Sequence, residues 1–230
     1  MTDLLLLVPT PTELRVLEPR LQLRVQQVGG TLHLCGFGPV AAAARTSQLI
    51  AELTPATIIL VGIAGAIGDS LRVGSATVFD EVACFGIGAG SGGDFKTAGD
   101  LGWSQWNSGL AAGGEDRSTI GDVVTLLPAQ AGLSIDEHAT RRQLLTCCSA
   151  SASLDDVALK TRHFPNAIAE DMEAFGVAMA ASLMDVPVQV VRGISNNAGD
   201  RRLSHWKIND ALEAAADVVL NLIAGDSPAG

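Results

Sequence analysis

The sequence predicts an α/β protein with a mixed, mostly parallel twisted central sheet and helices on both of its faces. Three observations carry that expectation. Short apolar runs alternate with helix-length segments, the pattern of strand–helix–strand units. Two of the runs, 57–61 and 188–194, are largely apolar throughout, as strands covered on both faces are. The 25 glycines of the 230-residue chain fall mostly between the apolar runs, as punctuation. With 47% hydrophobic and 17% charged residues, there is material for one large core. The expectation is one domain over residues 1–224 and a flexible tail over 225–230.

Leu4–Val8 reads as a buried strand stopped by Pro9 and Pro11, after which Thr12 is placed to cap a short helix from Glu13 to about Leu17. Alternation over 21–27 and 31–37, about Gly29-Gly30, reads as a hairpin. Pro39–Glu52 is Ala-rich with Pro in its first turn, a helix. Thr57–Val61, bounded by Gly62, is a buried strand, and Gly74–Val82 another. From Cys84 to Arg117 no apolar period survives, and a loop of that length is usually a lid or a mobile segment. Trp103 and Trp106 within it either cover a ligand or pack onto the body or a partner. Gln143–Cys148 is a strand and Asp155–Arg162 a short helix. Glu173–Met184 is an apolar helix, Val188–Ile194 a strand and Ser204–Ile223 an amphipathic helix.

Composition excludes several functions. Fifteen Lys+Arg against 25 Asp+Glu leave a net charge of −10, with no basic cluster, so nucleic acid is not a partner. Six Phe, three Trp and no Tyr make poor stacking platforms for single strands. Leu4–Val8 is far too short for a membrane span and lacks the flanks of a signal peptide. Cys35, Cys84, Cys147 and Cys148 form neither a disulfide framework nor a zinc spacing. They read as small hydrophobes in a reducing cytoplasm.

Four stretches bear on chemistry. Gly36-x-Gly38-x-x-Ala41 has the strand-to-helix setting of a dinucleotide fingerprint, but the ribose-binding acid about 20 residues on is missing and a plain tight turn is the better reading. Gly62–Gly68 follows a buried strand, where glycines let backbone approach a ligand, so Ile63, Ala64 and Gly65 are candidate contacts. No Lys follows as in an ATP loop. Glu170-Asp171-Met172-Glu173 is either ordinary helix N-terminal charge or a carboxylate awaiting a ligand hydroxyl. Arg192 to Asp200 ends an apolar strand with Arg192, Ser195 and Asn196, which is either a ligand site or a polar turn. His33, His138, His163 and His205 show no metal-binding spacing.

Taken together, P-T-P-T-E-L at 9–14, G-I-A-G-A at 62–66, L-R-V-G at 71–74, A-E-D-M-E-A at 169–174 and R-G-I-S-N-N-A-G-D at 192–200 resemble the purine nucleosidase branch of the nucleoside phosphorylase superfamily. The resemblance covers nearly the whole chain and implies hydrolysis of an N-ribosidic bond in a small-molecule nucleoside. It implies no metal or organic cofactor, and a homodimer or larger homo-oligomer. It casts Glu13 as the carboxylate that activates water and Arg192 as a holder of the water site. Glu173 would bind the ribose hydroxyls with Met172 packed under the sugar. The residue after Ser195 would read the purine.

At that last position adenine-specific members carry Asp, whereas this chain has Asn196. A protonated Asp gives a proton to N7 and accepts from the adenine amine. Hypoxanthine offers two acceptors, N7 and O6, which suit the two N–H groups of an Asn amide. The resemblance therefore implies a 6-oxopurine, with Asn197 and Asp200 as candidates for orienting the amide. Ile63 stands where the adenine enzymes keep a water-binding Ser, so more of the water site falls on Glu13 and Arg192. The phosphate-binding arginine segments of the phosphorylases have no match, which favours water as nucleophile. The 84–106 loop is a candidate lid over the substrate.

Overall fold

A computed structural model describes residues 2–107, 119–126 and 141–225. The chain runs β1 (Thr2–Val8), α1 (Pro11–Gln27), β2 (Thr31–Leu34), α2 (Pro39–Leu53), β3 (Pro55–Ala66), β4 (Ala76–Phe79) and β5 (Glu81–Phe85). Four two-residue strands follow, β6 (Gly88–Ala89), β7 (Lys96–Thr97), β8 (Trp106–Asn107) and β9 (Thr119–Ile120), paired as two small ribbons. Then come β10 (Val123–Thr125), β11 (Gln143–Cys147), α3 (Leu154–His163), β12 (Ala167–Asp171), α4 (Ala174–Leu183), β13 (Val188–Asn197) and α5 (Ile208–Gly225).

The main sheet runs β10-β5-β11-β12-β3-β1-β2, with β13 also on β3 and β4 on β13. The pairs β1–β2, β1–β3, β3–β13, β11–β12 and β5–β11 are parallel. Within this sheet, among the described residues, β12–β3, β10–β5 and β13–β4 are antiparallel, so the expected mixed, mostly parallel sheet is present. Period-two alternation sends each strand to two cores. Leu5 and Leu7 of β1 join Ala42 and Leu49 of α2 and Phe175 and Val177 of α4 on one face. Leu4, Leu6 and Val8 join Leu17, Leu21 and Val25 of α1 and Leu212 and Val219 of α5 on the other.

Three local expectations need correction. The hairpin over 21–37 is absent: 21–27 is the last part of the 17-residue α1, and β2 runs parallel to β1. The helix buries Glu13, Leu17, Leu21 and Val25 at a spacing of four and leaves Leu23 68% exposed, which a strand alternating about Leu21 and Val25 would have buried. Its cap is Thr10, not Thr12. The single strand over 74–82 is two, broken at Asp80, whose carboxylate takes the Arg142 N–H at 2.9 Å.

Two details position the site. In β13 the register against β3 slips between Ile194, opposite Ala64, and Asn196, opposite Gly65, so Ser195 is an extra residue. Gly193 lets α5 lie on this strand, because a Cβ there would stand 2.1 Å from the Ala211 carbonyl oxygen.

Candidate active site

The carboxyl ends of β1, β3, β12 and β13 open onto a cavity of about 320 Å³, the edge at which open α/β sheets bind ligands. Its wall includes Glu13, Ile63, Ala64, Gly65, Met172, Glu173, Ser195 and Asn196, so eight of the nine residues singled out from the sequence meet there. The ninth, Arg192, is fully buried behind them and bonded to Glu173. None of residues 84–107 lines the cavity. Away from the cavity, the Phe85 and Phe95 rings meet at a tilt with centroids 4.8 Å apart, and Phe95 meets His163 of α3 edge-on. The rest of the proposed lid, 108–117, lies outside the described residues.

Glu13 enters from the first turn of α1. Thr10 accepts the Glu13 N–H at 3.3 Å and donates its hydroxyl to Oε2 at 2.6 Å, while Oε1 accepts the Ile63 N–H at 3.0 Å. The carboxylate is thus tied at Oε2 to its own helix cap and at Oε1 to β3. Gly62 makes this approach possible: a Cβ there would stand 2.2 Å from Arg192 Nη1 and 2.7 Å from Glu13 Oε1. Nη1 is buried and has no hydrogen-bond partner among the described residues. A buried guanidinium donor left without an acceptor is costly, and a water or ligand oxygen beside Glu13 would satisfy it.

Asp171 is the anchor of this arginine. Its Oδ2 accepts from Arg192 Nε at 3.1 Å and from Nη2, and also takes the Ala174 N–H at 2.9 Å at the start of α4. Its Oδ1 accepts the Thr146 hydroxyl at 2.6 Å, and Thr146 in turn accepts the Phe175 N–H at 2.9 Å. Burial works against the charge on Arg192, but Asp171 and Glu173 outweigh it and hold its pKa above the ordinary value.

Glu173 accepts the Gly38 N–H at 3.0 Å and Arg192 Nη2 at 3.4 Å. The glycine turn after β2, which from sequence had only the form of a nucleotide fingerprint, therefore feeds a carboxylate. Burial pushes the Glu173 carboxyl up to about 7, opposed by Arg192 and Gly38 and reinforced by the negative charge of Asp171. Between its ordinary value of 4.5 and about 7 the folded protein holds a proton that the unfolded chain has released. The stability this contributes is complete below the lower value and is lost as pH rises through the upper one. The melting temperature of wild type, followed from pH 4.5 to 8, is thus expected to fall relative to Glu173→Gln, which cannot titrate. A pH-independent difference would refute the shift.

At the far side, Ser195 Oγ lies 2.9 Å from Asn196 Oδ1 and 3.2 Å from the Ala64 carbonyl, and Asn196 Nδ2 donates to the Asn197 carbonyl at 2.8 Å. The amide is oriented, but with one N–H already used, so a single N–H is left for a ligand where the sequence suggested two. Asp200 does not orient it. That carboxylate takes Arg202 at 2.8 Å and His205 at 2.7 Å instead. Behind the wall, the buried Lys160 donates to Ser149 O at 2.7 Å, Ser151 Oγ at 2.9 Å and Glu170 Oε2 at 3.1 Å, the last two being buried contacts. Glu170 also accepts the Ser151 N–H at 2.8 Å and so fixes the 149–151 turn beside Ala150 of the cavity. Sequence reading gave Thr146 and Lys160 no role and Asp171 only that of its acidic stretch; Thr10-x-x-Glu13 has the spacing of a capping signal, which the placement of the cap at Thr12 passed over.

Among the described residues no group of His, Cys, Asp or Glu is placed to hold a metal, and no helix is long and apolar enough to cross a membrane. Cys35 and Cys84 are buried and burial pushes each thiol up to about 12, so they behave as the apolar residues expected.

An α/β sheet that gathers buried carboxylates and an arginine at the ends of its parallel strands, around a cavity of ligand size, defines an enzyme with an acid–base site for a small polar molecule. The chain belongs to the phosphorylase superfamily, whose family model matches residues 23–224. It is 32% identical over 211 residues to a futalosine hydrolase of Streptomyces coelicolor, covering 89% of this chain and 83% of that one. It is 28% identical over 167 residues to a 5′-methylthioadenosine/S-adenosylhomocysteine nucleosidase of Shewanella sediminis, covering 72% and 67%. The native structure of futalosine hydrolase of Helicobacter pylori shares the fold at a TM-score of 0.70 with 14% identity, covering 97% and 98% of the two chains.

Proposed function

We propose that the protein is a nucleosidase that hydrolyses futalosine, an inosine whose 5′ substituent ends in a benzoate, to hypoxanthine and dehypoxanthinyl futalosine. Its place would be the futalosine route to menaquinone in the cytoplasm, and its working form a homodimer or larger assembly. In this reading a water held between Glu13 and Arg192 Nη1 attacks C1′. The C1′–N9 bond breaks with its electron pair leaving on the purine, Glu13 takes the water proton, and a proton is returned to the base. Glu173 accepts from the ribose hydroxyls over Met172. Stabilising charge at both ends of the breaking bond supplies most of the acceleration.

The observation that carries the choice of base is Asn196 in the cavity wall, whose Oδ1 accepts from Ser195 and whose Nδ2 keeps one N–H, beyond its bond to Asn197, to offer a ligand. A donor suits O6 of hypoxanthine and opposes the amine of adenine. The methylthioadenosine nucleosidases among the relatives make adenine release the rival reading. Product analysis by liquid chromatography decides between them, using futalosine, its 6-amino counterpart, methylthioadenosine and inosine, with and without phosphate. Hypoxanthine from futalosine, indifferent to phosphate, is expected; adenine from the amino substrates would sink the reading. Asn196→Asp is expected to move the 6-oxo to 6-amino ratio of kcat/KM by at least about a hundredfold toward adenine.

A further inference from the structure

Resting on that reading, we infer that Arg201, laid over the Trp206 ring at the exposed end of the cavity, selects substrates whose sugar carries an arm ending in an aromatic carboxylate. Charge is unevenly divided along the cavity wall. Glu13, Glu170, Asp171 and Glu173 line it and are all buried. The cavity-lining cation among the described residues is Arg201, which is exposed. An anionic arm directed at the buried end would meet carboxylates whose one free neighbouring donor, Arg192 Nη1, sits at the reaction centre. Among the described residues that line the cavity, only Arg201 at the outer end offers it a cation.

The two adjacent arginines are used differently. Arg202 is committed to Asp200, Nε to Oδ1 at 2.9 Å and Nη2 to Oδ2 at 2.8 Å, and His205 shares that carboxylate. Arg201 has no carboxylate partner among the described residues. Its guanidinium carbon stands 5.1 Å from the centre of the Trp206 ring. Trp206 is itself held, its Nε1 donating to the Asp200 carbonyl at 3.0 Å. A guanidinium stacked on a fixed ring keeps its forked N–H edge free for a carboxylate, and the ring beside it offers a flat surface to an arene. In a chain of net charge −10 this is a cation without a structural duty at the edge of a ligand site.

The test uses the full chain with futalosine and its methyl ester, which share base and sugar and differ in the charge of the arm. Wild type is expected to favour the acid by about tenfold in kcat/KM, carried by KM, because one exposed charge-assisted contact is of that size. Arg201→Met should bring the acid-to-ester ratio close to one, Arg201→Lys should restore part of it, and raising salt should lower it in wild type and Arg201→Lys but not in Arg201→Met. Equal losses on acid and ester in Arg201→Met, or no preference in wild type, would overturn the inference while the hydrolase reading stands. If wild type cleaves neither form but does cleave methylthioadenosine, the hydrolase reading itself has failed. Arg201 is exposed, so thermal melts of the variants are expected to match wild type within a degree or two.

Discussion

Glu13→Gln is expected to lower kcat on futalosine by about a hundredfold to ten-thousandfold, the range of a lost general base, with the fold intact. The substitution is nearly isosteric in this setting. Gln Oε1 can still accept the Ile63 N–H, and the amide can donate to Thr10 where the acid accepted from it. Chemical denaturation should therefore place the variant within about 1 kcal/mol of wild type, the net scale of one hydrogen bond. What the amide cannot do is take a proton from water. Turnover within about threefold of wild type, against the loss a missing general base entails, would remove Glu13 from the proposed mechanism.

Arg192→Met is expected to be the most damaging change to stability. It leaves Asp171 and Glu173, both 5% exposed, without the charge that balances them. Breaking a buried ion pair from one side costs about 3–5 kcal/mol. Part of that is recoverable: Glu173 is already pushed up to about 7 and can bind a proton. The loss should thus be smaller at pH 5.5 than at pH 8, and urea melts at the two values would show it. Arg192→Lys separates charge from shape. One ammonium cannot donate along the same fork to Asp171, Glu173 and the space beside Glu13. It should recover more stability than activity, and equal recovery of both would argue against a role at the water site.

The fold was readable where one face, or both, of an element is apolar. Residues 4–8, 57–61, 143–147 and 188–194 are strands in which burial on both sides leaves little polar alternation to misread, and the expected strand at 143–148 ends one residue early, at the exposed Cys148. The first helix misled because L-Q-L-R-V-Q at 21–26 alternates like a strand, and Pro19 looks like a stop. Only the four-residue spacing of Glu13, Leu17, Leu21 and Val25 betrays it, and its first member is a carboxylate. The cavity residues were legible because strand ends carry them in short dense motifs. Asp171 was not, since its partners Thr146 and Arg192 come from β11 and β13, and sequence distance hides such a triad. The hydrogen bond that uses up half the donor capacity of Asn196 was hidden for a nearer reason. It depends on how the backbone turns after Ser195, which residue types alone do not specify.

That extra residue has a consequence for how such enzymes diverge. Arg192 lies before the slip, inside the ladder, paired across β3 and β4, so any change there is also a change to folding. Asn196 lies beyond it, paired opposite Gly65 but one residue out of the register that Arg192 keeps, and near the end of the strand. On the proposed function, a substitution at the outer position would be tested chiefly by which base it admits, through the contacts Asn196 makes with Ser195 and Asn197. If the proposed roles hold, the residues of bond cleavage are bound up with the scaffold, while the choice of purine rests on a side chain outside the unbroken ladder and can drift with less cost to folding.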